Sequence, residues 1–84
     1  MNVIVLVGEV IELPYLRETP AGYQCATMVL KVDRPFANSD GVYEADEIAV
    51  TLWKGIAQTT CEVCALHDAV AVKGRLTTRT HNKD

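Results

Sequence analysis

The chain has 84 residues, 49% hydrophobic and 23% charged, which fits one small globular domain and excludes a disordered tail. No 18-residue apolar run occurs, so a membrane-spanning helix is excluded as well. The net charge of −3 would argue against a polyanionic partner if it were spread evenly, but it is not.

Residues 3–11 are apolar on both parities apart from Gly8 and Glu9, which predicts a strand buried on both faces, or buried on one and paired with another subunit. Pro14 and then Thr19-Pro20-Ala21-Gly22 punctuate a turn. A second strand is expected over 23–33, with Ala26, Met28, Leu30 and Val32 inward and Thr27, Lys31 and Asp33 outward. Pro35, Asn38, Ser39, Asp40 and Gly41 make 34–42 a long hairpin loop. The third strand, over 44–53, turns Ile48, Val50 and Leu52 to the core and Glu47, Ala49, Thr51 and Trp53 away from it. Residues 56–66 lack Gly and Pro and suit a short helix with Ala57, Cys61, Cys64 and Leu66 on its inner side. A fourth strand over 69–78 places Val70, Val72, Gly74 and Leu76 inward, with Lys73, Arg75, Thr77 and Arg79 outward.

The order strand, strand, strand, helix, strand predicts an all-β class. The expected fold is a five-stranded Greek-key oligonucleotide-binding barrel, with its helix between strands three and four and its fifth strand absent or truncated. One domain over 1–84 is expected, since no repeat or low-complexity linker interrupts it. Seven of the eleven acids fall in two clusters, Glu9, Glu12 and Glu18, then Asp40, Glu44, Asp46 and Glu47. Residues 73–79 carry Lys73, Arg75 and Arg79 and no acid, so the C-terminal end is locally basic.

At this point the residues resemble a known family, the bacterial single-stranded DNA-binding proteins. The similarity runs through VLVGEV at 5–10, PYLRETPAG at 14–22, LKVDRPF at 30–36, EIAVTLWKGIA at 47–57 and VKGRLTTR at 72–79. The turn motif is the most specific of these, and the five together, in order and at matching spacing, cover nearly the whole chain. The resemblance implies a cytoplasmic, nucleoid-associated protein that coats single-stranded DNA in replication, recombination and repair, as a homodimer or homotetramer, without cofactor or catalysis.

Sequence-independent binding of a single strand needs cations that follow the phosphates and flat rings on which any base can stack. Trp53 and Phe36, the only tryptophan and phenylalanine, match positions where the resemblance places stacking aromatics. Lys73, Arg75 and Arg79 share one strand face as phosphate contacts, with Lys31, Arg34 and Lys54 as secondary candidates, and the indole and these cations are expected along one groove. The plainer readings are a barrel-end cap or a subunit contact for Trp53, a loop anchor for Phe36 and a solvated sheet edge for the cations. Arg17 serves either the DNA or the carbonyls of its own turn. Two departures weaken the expected affinity: Glu47 and His81 stand where the family often carries aromatics. Relatives continue past this point with a fifth strand and a flexible tail that recruits replication and repair proteins, so truncation, or a strand supplied from elsewhere, is expected.

Three cysteines, an odd number, without a recognisable export signal suggest free thiols in a reducing cytosol. Cys61-Glu62-Val63-Cys64 with His67 has part of a zinc pattern, but the plain reading is two small apolar residues on the inner side of a helix. No catalytic constellation is visible. The competing functional class is a protein-interaction module of primosome or phage type, supported by the net negative charge and the two lost aromatics.

Overall fold

The computed structural model describes residues 1–77. Strand β1 (Ile4–Glu12) leads through Pro14 to a short β2 (Leu16–Glu18), which turns into the long β3 (Gln24–Ala37). A second turn gives β4 (Tyr43–Trp53), helix α1 (Lys54–Val63) follows without a linker, and β5 (Ala69–Gly74) closes the order. Both hairpin turns use one device. In Thr19-Pro20-Ala21-Gly22 the Gly22 amide donates to the Thr19 carbonyl at 2.9 Å, and in Asn38-Ser39-Asp40-Gly41 the Gly41 amide donates to the Asn38 carbonyl at 3.0 Å. Each glycine sits at positive φ, 90° and 76° respectively, a conformation that only glycine adopts without strain. Asn38 adds its side-chain oxygen, which accepts from the amides of Asp40 and Val42.

The strands form one antiparallel sheet that curls around its central member, β3. Strand β4 runs along one edge of β3 from Cys25↔Trp53 to Ala37↔Tyr43. Strands β2 and β1 therefore share the other edge in succession, with Arg17↔Cys25 and then Glu9↔Lys31. Strand β1 swings away from β3 beyond that point to pair β5. The swing needs Gly8, because a Cβ there would lie 2.6 Å from the Lys31 carbonyl oxygen. Inside the curl, Val10, Ala26, Met28, Leu30, Leu52 and Ala57 form the core, with Val32, Val50, Cys61, Cys64, Val70 and Val72 packed against it. Burying a side chain the size of Leu30 contributes about 1.5–3 kcal/mol, so a handful of such residues carries this small domain. No helix among the described residues is long and apolar enough to cross a membrane.

The alternation read from β4 and the first half of β3 is observed: Ile48, Val50 and Leu52 face in, and Glu47, Ala49, Thr51 and Trp53 face out. Several expectations need correction. The segment before the first turn contains a strand, β2, because Arg17 and its neighbours pair with β3. The loop expected over 34–42 is shorter than that: β3 runs on through Ala37, with a register shift between Asp33 and Ala37 that absorbs Pro35, and leaves a tight turn over 38–42. Strand β5 ends at Gly74, so Leu76 is exposed instead of inward. Its backbone is held by the Asn2 side chain, which donates to the Leu76 carbonyl at 2.7 Å and accepts from its amide at 3.0 Å. The helix spans Lys54–Val63 and not 56–66: Ala57, Cys61 and Cys64 pack against the core as expected, but Leu66 lies past the helix end and is exposed. Burial pushes the Cys64 thiol up, which keeps it protonated and unreactive at neutral pH.

Candidate nucleic-acid interface

Strand parity and register lay out the outer face of the sheet. At one end Arg17, Cys25 and Trp53 lie in one cross-strand row, from β2 through β3 to β4. The next outward pair toward the hairpin tip is Thr27↔Thr51, and then Val29↔Ala49. After these comes a charged bar, in which Lys31 lies between Glu47 on β4 and Glu9 on β1. Beyond the bar lie Lys73, opposite Val5, then Arg75 just past the strand end, and the β3–β4 hairpin with Phe36. Lys73 lies four residues past the bar along β5, and Trp53 lies six residues from it along β4 in the opposite direction. At the rise of a strand that separates them by on the order of 30 Å along the sheet.

Trp53 is thus on the open face, as its parity predicts, with its side chain half-exposed. The cations expected beside it are not its neighbours. Lys73 and Arg75 occupy the other end of the face, and Arg79 and His81 lie outside the described residues. The groups near the indole are Arg17, from the row just described, and Lys54, the next residue in the chain. Arg17 donates from Nη2 to Thr27 Oγ1 at 3.0 Å and not to the carbonyls of its turn. Lys54 places Nζ 5.4 Å from the centroid of the Tyr23 ring, a cation–π contact. It does so from a left-handed backbone, φ 55°, which costs a non-glycine residue about 1–2 kcal/mol.

Arg34 is differently disposed. It grips Asp46 with two bonds, Nε to Oδ2 at 3.1 Å and Nη2 to Oδ1 at 2.8 Å, and it reaches Glu44 through Nη1 at 2.7 Å. Asn38 donates to the other oxygen of Glu44 at 3.1 Å. The hydrogen bonds from Arg34 hold the Asp46 carboxyl below its usual range, and those same contacts raise the guanidinium. A guanidinium so occupied fastens the hairpin and has little left for a phosphate. Phe36 is 81% exposed on that hairpin, and Tyr43, also exposed, pairs with Ala37 at its base. His67 does not join the cysteines: its Nδ1 meets Glu9 Oε2 at 2.5 Å, and its amide donates to the Val10 carbonyl.

Two residues of this face were not foreseen from the sequence: Tyr15 and Tyr23. Tyr15 falls between the expected strands, beside Pro14, and Tyr23 opens the expected second strand next to Gly22 without being read as a site residue. The pairing of β2 with β3 brings their segments together, and the Thr19 amide extends it by donating to the Tyr23 carbonyl at 2.8 Å.

A curled five-stranded sheet with one helix between β4 and β5, bearing exposed aromatic rings and cations on its outer face, defines a small oligonucleotide-binding fold. Comparison with known proteins narrows this class. The model of the single-strand binding protein family matches residues 1–84, and the chain belongs to that family. It is 39% identical over 83 residues to single-stranded DNA-binding protein B of Bacillus subtilis (strain 168), covering 99% of this chain and 74% of that one. It is 41% identical over 81 residues to single-stranded DNA-binding protein 3 of Listeria innocua, covering 96% of this chain and 51% of that one. The chain therefore spans about half the length of the Listeria relative. Among solved structures, the SSB domain of a Synechococcus sp. protein superimposes with a TM-score of 0.75 at 30% identity, covering 93% of this chain and 82% of the other. A deletion mutant of the single-stranded DNA binding protein from Thermus aquaticus gives 0.69 at 28% identity, covering 89% of this chain and 32% of that one.

Proposed function

We propose that the protein binds single-stranded DNA without reading its sequence, as a coat in replication, recombination and repair, and that it does no catalysis. The observation that carries this reading is the half-exposed ring of Trp53 on the open face of the sheet, with Arg17 in the same cross-strand row on the far side of Cys25. A ring in that setting accepts any base on its π-face, and a guanidinium in reach follows the phosphates. Phe36, Lys73 and Arg75 extend the path at the far end and Lys54 adds a cation at the Trp53 end, while Lys31 and Arg34 contribute less, each facing carboxylates of this chain. Arg79 and His81 belong to the same proposal on sequence grounds alone. A cytoplasmic location follows from this role.

Self-association is part of the proposal. Val3, just before β1, and Val5 and Val7 within it are exposed, and pairing of β1 with β3 begins only at Glu9. The segment before Glu9 thus offers an apolar surface and, among the described residues, one edge without a strand partner, which suits a second copy of the chain.

Titration with oligo-dT, followed by emission of the single indole, tests the reading. Saturable quenching is the expected result. An unchanged emission, together with no retention of labelled oligo-dT, would favour a protein-interaction module instead.

A further inference from the structure

We propose that the principal base-stacking site is a three-ring platform of Tyr15, Tyr23 and Trp53, edged by Arg17 and Lys54, at one end of the sheet. The inference rests on the single-strand reading above and specifies where on the face the bases sit.

Three observations converge on it. The first is placement. Arg17, Cys25 and Trp53 form one row, so Trp53 and Arg17 are two strands apart, about 10 Å at the spacing of a sheet. Tyr23 precedes β3, two residues before Cys25, and Tyr15 precedes β2, two residues before Arg17, so continued strand alternation puts both on that face. Cys25, at the middle of the row, is buried, so the platform has a closed floor. The second is exposure: Tyr15, Tyr23 and Trp53 are 69%, 52% and 51% exposed, although aromatic rings gain most when they are covered. Three such rings around two cations leave a surface that a stack of unpaired bases would complete.

The third observation is charge. Among the described residues Arg17 and Lys54 form no ion pair, whereas Arg34 is fully engaged by Glu44 and Asp46. The next charged row toward the hairpin is the Glu47–Lys31–Glu9 bar, whose two carboxylates repel a phosphate. A strand held at the platform meets this repulsion before it can reach Lys73 or Phe36. The Lys54 ammonium covers one face of Tyr23 from its left-handed backbone, so the ring is held in place and offers its other face.

The test compares Tyr15→Leu, Tyr23→Leu, Tyr23→Phe, Trp53→Leu and, as a distant ring, Phe36→Leu. Each is titrated with a labelled oligo-dT and with a strand of equal length lacking its bases. Loss of one stack corresponds to a drop of about five- to a hundredfold in affinity. Tyr15→Leu and Tyr23→Leu are expected to weaken oligo-dT binding by at least about fivefold each, more than Phe36→Leu does. Tyr23→Phe retains the wild-type affinity, and none of the tyrosine variants alters binding of the base-free strand. If Trp53→Leu weakens binding while both tyrosine variants match wild type, the platform is wrong and the single-strand reading survives. A loss that is equal on the base-free strand also overturns it, by assigning the tyrosines to folding or phosphate contact. Failure of wild type to bind oligo-dT at all removes both readings.

Discussion

The two arginines of the first hairpin pair show how little a residue's type says about its role. Arg17 bonds one neutral hydroxyl and keeps its charge for a ligand, whereas Arg34 spends three nitrogens on two carboxylates. Single-strand affinity falls with salt by about 0.7 logarithmic units per phosphate contact. Arg17→Gln is therefore expected to lower the slope of log K against log salt by about 0.7, and Arg34→Gln to leave it unchanged. Titrations of both variants at several salt concentrations check this. An equal drop in the two slopes would show that the Arg34 pairs open on binding. The sequence held both partners of Arg34 in view, because Glu44 and Asp46 alternate on the facing strand. What it lacked was the register that sets them opposite.

Elements were legible where a period of two runs undisturbed. Strand β4 alternates cleanly from Glu47 to Trp53, and its faces could be assigned residue by residue. Strand β2 was not legible, since three exposed residues between prolines have no buried side to reveal them. The platform therefore went unseen as well: Arg17, Cys25 and Trp53 are far apart in the chain, and only pairing makes them neighbours. Nor does the local pattern announce what Gly8 does, as its need arises from the approach of β3. Gly8→Ala would drive a methyl to 2.6 Å from the Lys31 carbonyl, and backbone there has no free end to swing aside. Such overpacking costs about 1–3 kcal/mol. Gly55, around which nothing lies within 4 Å, is the control: Gly55→Ala should hold or raise stability. Urea midpoints of the two variants should move in opposite directions, or the first alone should fall.

For the molecule as a whole, the sheet is curled but the first strand is only partly covered. An 84-residue chain buries little surface by itself, and exposed valines on β1 add to that deficit. Val7 faces outward opposite Ala71, away from the platform residues. Val7→Glu is therefore expected to reduce the mass seen by light scattering to that of one chain, while short oligo-dT still binds. A wild-type protein that is already a single chain would contradict the self-association proposal and leave the platform untouched.

The backbone of Lys54 narrows what evolution or design can place at that position. Glycine would sit there in comfort and asparagine nearly so, yet neither carries a charge to lay over Tyr23. Arginine keeps the charge and inherits the same discomfort. The junction between sheet and helix thus trades conformational ease for a fixed cation, and a screen selecting for heat resistance alone would be drawn toward erasing it.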